Sequence, residues 1–132
     1  MFQGHYVRWN PVPKLQGKRM YCEAVHDDWE GVRIWFSPEK PSGMLVVRFE
    51  QVLFYANSGE GKRLALVEND AELEFPHIFW KVENSALLAE FHRQSCGTSE
   101  SLDITHYAFL SSSDCIDVLA VAEPSFTGHE DA

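Results

Sequence analysis

Basic residues are nearly absent from the second half of this 132-residue chain. After Arg63 only Lys81 and Arg93 remain against thirteen acids, a balance of −11, whereas residues 1–63 carry nine basic and seven acidic side chains. The net charge of −9 sets nucleic acid and anionic membranes aside as partners, because both would be repelled. Long apolar runs are missing as well. A charge-free stretch such as Ile104 to Ser113 reaches about half a membrane span, so no transmembrane helix is expected. The start, from Met1 to Arg8, has no basic lead into a long apolar segment, which argues against a secretory signal. Cysteine is scarce: Cys22, Cys96 and Cys115 are odd in number and show no CxxC spacing. Three scattered thiols suit a reducing cytoplasm better than a disulfide framework.

Composition then describes one folded domain. Hydrophobic residues make up 45%, aromatics 13% and charged residues 23%, neither disordered nor low in complexity. The length suits one domain, expected over residues 1–126, with residues 127–132 as a disordered tail. The pattern is mostly of period two, the signature of strands. Met20, Cys22, Ala24 and His26 alternate with Tyr21, Glu23 and Val25, and Val32, Ile34 and Phe36 alternate with Arg33 and Trp35. Between them Asp27-Asp28-Trp29-Glu30-Gly31 has turn chemistry, so residues 20–36 form a hairpin. Two prolines make residues 37–43 a loop. Leu45, Val47 and Phe49 share a face, while Val52 and Phe54 restart on the other parity, which places a bulge or corner at Glu50-Gln51. Residues 57–62 form the next loop, leading into Leu64 to Val67, and Ile78, Trp80 and Val82 mark a further strand.

One helix is expected near residues 85–95. Asn84 or Ser85 caps it, Leu87, Leu88 and Phe91 share its apolar face, Glu90 and Arg93 pair across three residues, and Gly97 closes it. Leu102 to Leu110, the turn Ser111-Ser112-Ser113-Asp114 and Cys115 to Ala122 make a second hairpin, stopped by Pro124. The fold class is α+β: a β-rich antiparallel sheet, as a half-open barrel or sandwich, covered by the helix.

Chemistry-bearing motifs are thin. There is no GxSxG elbow and no GxGxxG fingerprint, and Gly59-Glu60-Gly61-Lys62 lacks phosphate-loop spacing. No metal site or cofactor is expected, since His26-Asp27-Asp28 reads more simply as a turn whose carboxylates bond their own backbone. The three thiols read as packing residues, because Cys96 sits at a helix C-terminus, Cys115 lies between acids and Cys22 has no cationic neighbour in sequence. Asp117 interrupts an apolar strand, either facing solvent or turned inward to pair with His106 across the hairpin. Trp29, in a turn, and Trp35, on the outer face beside Arg33, are the aromatics least suited to a core.

The segment from Ile78-Phe79-Trp80-Lys81-Val82 through His106-Tyr107 and Asp117-Val118-Leu119-Ala120 to Glu123-Pro124 resembles a recurring pattern in small uncharacterised bacterial proteins, spanning residues 78–124. In size, acidity and lack of catalytic motif the chain is also similar in general type to immunity proteins that neutralise bacterial toxins. The first expectation is therefore a non-enzymatic, cytoplasmic protein-binding domain. It would meet a basic partner through Glu72, Glu74, Asp103 and Asp114, with Trp29 and Trp35 as anchors. The second is a small ligand-binding or hydrolytic barrel using His26, His106, Asp114 and Asp117. The third is a structural homodimer joined through an exposed strand edge.

Overall fold

A computed structural model describes residues 2–38, 43–59 and 76–128. Among these residues the protein is mostly β, with nine strands, one α-helix and one short 3-10 turn. The strands are β1 (His5–Arg8), β2 (Met20–Asp28), β3 (Gly31–Pro38), β4 (Leu45–Phe49), β5 (Val52–Gly59), β6 (Phe79–Glu83), β7 (Thr105–Leu110), β8 (Asp114–Ala120) and β9 (Ser125–Thr127). The helix, α1, is Ala86–Gln94. They form two antiparallel ladders, one in the order β1-β6-β7-β8-β5 and the other β2-β3-β4-β9, and no closed barrel. One nine-residue helix on two sheets is a mostly β arrangement, which narrows the α+β expectation. Residues 129–132 of the expected tail lie outside the described residues, while Thr127 is the last residue of β9 and pairs with Val46.

The expected alternation builds the shared core. Val32, Ile34 and Phe36 of β3, with Leu45, Val47 and Phe49 of β4, are buried against Phe79, Tyr107, Phe109, Ile116, Val118 and Ala120 of the other sheet. Aromatic rings supply much of this layer. Phe109 lies 5.9 Å from Phe36, 6.1 Å from Phe49 and 6.3 Å from Phe79 between centroids, the last two in edge-to-face contact.

Two bulges change the simple alternation. In β2 the register slips between Cys22 and Ala24, leaving Glu23 unpaired, so Val25 rather than Ala24 packs on the core and Asp27 stands opposite buried Val32. In β5 it slips between Val52 and Phe54. Val52 and Tyr55 then pack on the core, while Leu53 and Phe54 stay 38% and 39% exposed. The change of parity expected at Glu50-Gln51 is a corner rather than a bulge: β4 belongs to one sheet and β5 to the other. The strand expected at Leu64 to Val67 lies outside the described residues.

The five-stranded sheet is covered on its second face too. Trp80, Ala108, Leu110 and Cys115 form one buried cluster, and Leu119 with Ile104 meets Leu87 of α1 in another. Truncating Phe109, which is fully buried at the centre of the aromatic layer, should cost about 3–5 kcal/mol. Urea unfolding of Phe109→Ala against wild type measures it, with an unchanged slope expected.

Candidate functional site

Because β7 and β8 are covered on both faces, a polar residue placed on either must find a partner inside. His106 and Asp117 do so. His106 Nε2 lies 2.7 Å from Asp117 Oδ1, and both residues are 1% exposed. The chain continues through Nδ1, 2.6 Å from Ser85 Oγ, and Ser85 Oγ accepts the Leu88 backbone N–H at 2.9 Å. An ionised carboxylate only accepts, so the imidazole donates to it from Nε2, and in the neutral ring Nδ1 then accepts the Ser85 hydroxyl proton. Ser85 is thus the cap of α1, as expected, and Asn84 makes the turn out of β6 with φ of 50°.

A serine, a histidine and an aspartate in one hydrogen-bonded line raise the question of nucleophilic catalysis. The geometry answers against it. The residue bearing the hydroxyl is 7% exposed, and the hydroxyl is engaged as the helix cap. The ring meets the serine through Nδ1, whereas in the protease triad the nitrogen facing the nucleophile is Nε2. Above the histidine lies Phe2, edge-on at 6.4 Å, and the Gln3 carbonyl accepts from Ala86 N–H at 2.9 Å. The line therefore ties α1 and the start of the chain to the β7–β8 hairpin. Its one unmet demand is Asp117 Oδ2, buried without a hydrogen-bond partner.

The four residues of the expected polar site do not meet. His26 is exposed on the outer face of the four-stranded sheet, its ring 5.9 Å from that of Trp35. Asp114 begins β8 at the hairpin turn, where its charge acts on Cys22. Burial, then Asp114, pushes the Cys22 thiol up to about 11. Only His106 and Asp117 come together. No cluster of three metal-ligating side chains occurs among the described residues.

Of the expected acidic surface, Asp103 and Asp114 are among the described residues. Glu72 and Glu74 lie outside the described residues. Asp103 precedes β7 and Asp114 starts β8, so they sit at opposite ends of one hairpin. Glu90 is held by Arg93 and Gln94, which bring its carboxyl down to about 2, and Glu123 pairs with Lys81. The two tryptophans also part. Trp35 is half-buried in the middle of β3 with its Nε1 covered and unpaired. Trp29 stands 90% exposed at the tip of the β2–β3 hairpin.

That tip is rigidly built. Asp28 Oδ1 accepts the Glu30 N–H at 2.9 Å, and Arg33 reaches Asp28 Oδ2 at 2.8 Å and Glu30 Oε2 at 2.7 Å. The guanidinium holds the Asp28 carboxyl below its usual range, and Arg48 Nε donates to the Glu30 carbonyl at 3.0 Å. Gly31, with φ of 98°, passes so close to Phe49 that a Cβ would lie 2.6 Å from its carbonyl oxygen. Beside the tip, Asp27, Val32 and residues 52–55 line an open recess.

One polar residue escaped the sequence reading. His77 is completely buried; it faces the Trp9 carbonyl through Nε2 at 3.0 Å and accepts the Gly17 N–H on Nδ1 at 3.3 Å. Nothing in Phe75-Pro76-His77 signals this, because both partners come from a segment some sixty residues earlier.

No helix among the described residues is long and apolar enough to cross a membrane. No family model, curated protein or solved structure matches the chain, so its function rests on its own geometry.

Two stability measurements follow from these buried groups. Asp117→Ala strands the imidazole N–H and should cost about 3 kcal/mol, and Ser85→Ala, which removes a cap and a histidine partner, about 2 kcal/mol. Asp117→Asn keeps an acceptor for Nε2 and should cost less than either, all read by urea unfolding. For His77, burial lowers the pKa, the Trp9 carbonyl partly opposes this and Arg8 adds to it. The unfolded chain takes up that proton near 6.5 and the folded chain only at lower pH, so this stability is intact above 6.5 and lost as pH falls through the window beneath it. The loss between about pH 7.5 and about pH 5.5 should shrink in His77→Gln.

Proposed function

We propose that this two-sheet, sandwich-like domain is a binding protein rather than an enzyme, and that it docks a basic protein partner with the β2–β3 tip. The observation that carries the reading is Trp29, a large aromatic left 90% in water on a turn fixed by Arg33, Arg48 and Gly31. Exposed aromatics on rigid supports are the usual anchors of protein interfaces, because little freedom is lost when they are covered. Leu53 and Phe54 extend the apolar surface on the neighbouring edge strand.

The charge around the tip favours a basic partner. Asp27, Asp28, Glu30 and Glu50 outnumber Arg33 and Arg48, and both arginines are committed to the turn itself. Residues 64–132 add their excess of acid to the long-range field that steers such a partner in. A toxin-neutralising role of the immunity type fits this chemistry, and three free thiols suit action in the cytoplasm.

The test is Trp29→Ala. It should leave unfolding stability unchanged within about 0.5 kcal/mol, since Trp29 packs on almost nothing. Binding to a partner captured by the wild-type protein should weaken by about 2 kcal/mol, or roughly thirtyfold, and fall further with added salt. Equal affinity of variant and wild type for that partner would remove the reading. A wild-type dimer in light scattering that Trp29→Ala abolishes would replace it with self-association.

A further inference from the structure

The recess beside Trp29 carries a more specific message, which rests on the docking role of that surface. It opens where the β2 end of the four-stranded sheet meets the β5 edge of the other, and it is lined by Asp27, Val32, Val52, Leu53, Phe54 and Tyr55. Both bulges create it. The slip at Glu23 turns Asp27 toward the space between the sheets, opposite Val32, where simple alternation would have sent it outward. The slip at Leu53 pushes Leu53 and Phe54 out at the rim.

Among the described residues the carboxylate in this recess has no cation of its own. Arg33 is taken by Asp28 and Glu30, and Arg48 by the Glu30 carbonyl. Among the described residues no lysine or arginine pairs with Asp27, whose negative charge is felt by Tyr55 across the same recess. The surroundings are apolar on the walls and acidic at one point. That combination accepts an amphipathic cation, whose methylene stem covers carbon while its head meets the carboxylate. Size limits the guest further. At about 230 Å³ the recess is smaller than pockets for drug-sized molecules, which run to roughly 300–1,000 Å³, and it is open to solvent on one side.

We infer that the recess formed by Asp27, Val32 and residues 52–55 is the seat for one arginine side chain of the protein partner, placed beside the Trp29 anchor. Arginine is favoured over lysine because its planar fork presents several donors to the carboxylate, and because it sheds water more readily. Docking then combines two unlike contacts a few residues apart: an aromatic from this chain inserted into the partner, and a cation from the partner inserted into this chain.

The experiment needs no partner. Nα-acetyl-arginine amide is titrated into the whole isotope-labelled protein and followed by amide chemical shifts, with Nα-acetyl-citrulline amide as the uncharged counterpart of nearly the same shape. Arginine should shift the amides of Asp27, Val32 and residues 52–55 in a saturable manner, binding about fivefold more tightly than citrulline. Asp27→Asn, which keeps the size of this exposed side chain and removes its charge, should erase that difference. Trp29→Ala should preserve it, which separates this inference from the anchor role of Trp29. Equal response to arginine and citrulline, shifts centred elsewhere, or no shift with arginine would overturn the inference. In the first case the apolar surface could still dock a partner through Trp29.

Discussion

The position of the helix depends on a line of hydrogen bonds running from Leu88 N–H through Ser85 and His106 to Asp117. Without it, the second face of the five-stranded sheet would hold an imidazole and a carboxylate with nothing to satisfy them. With it, the helix cap and the hairpin share a single polar network, and Leu87 settles over Leu119 and Ile104. The start of the chain joins the same assembly through Phe2 and Gln3. Polar networks of this kind fix where an element sits more than they add stability, because the desolvation of the buried groups offsets much of their attraction. The unpaired Asp117 Oδ2 is a visible part of that cost.

The two sheets contribute different things. The five-stranded sheet is buried on both faces and carries the polar tie, so its chemistry is turned inward. The four-stranded sheet leaves its outer face to water and ends in the β2–β3 turn, where acids and arginines lock one another instead of the core. Rigidity and exposure therefore coincide at one place, Trp29, and that coincidence supports recognition there. His106 and Asp117 tie the helix cap to the second hairpin.

Much of the fold was legible because the pattern is strongly of period two. The β2–β3 and β7–β8 hairpins, the change of phase at Glu50-Gln51, the Ser85 cap (one of two candidates) and the Glu90–Arg93 pair all follow from local rules. Ser37 and Pro38, by contrast, expected in a loop, end β3 opposite Tyr21 and Met20. The inward pairing of Asp117 with His106 was also readable as one of two choices, since the residues lie on one face of the second hairpin, diagonal in register: His106 is opposite Leu119 and Asp117 opposite Ala108. What escaped was set by register. A single extra residue at Glu23 or Leu53 reverses the faces of everything beyond it, and no local propensity marks either position as a bulge. Thus Asp27, still exposed, came to line the recess and Phe54 turned outward, and the surface they define could not be drawn from the sequence. Of the acids, Asp103 and Asp114 are separated by the length of a strand, though close in sequence, while Glu72 and Glu74 lie outside the described residues. His77 was hidden because its partners, Trp9 and Gly17, are remote along the chain.

The contrast among the four tryptophans has an optical consequence. Trp80 is sealed beneath the sheet, Trp9 and Trp35 are half-covered, and Trp29 alone is surrounded by water. The red edge of the protein's intrinsic emission, and the portion most open to an aqueous quencher, thus belong largely to that one indole. The protein carries its own reporter at the tip where a partner would arrive, and occlusion of that tip can be watched without attaching a label.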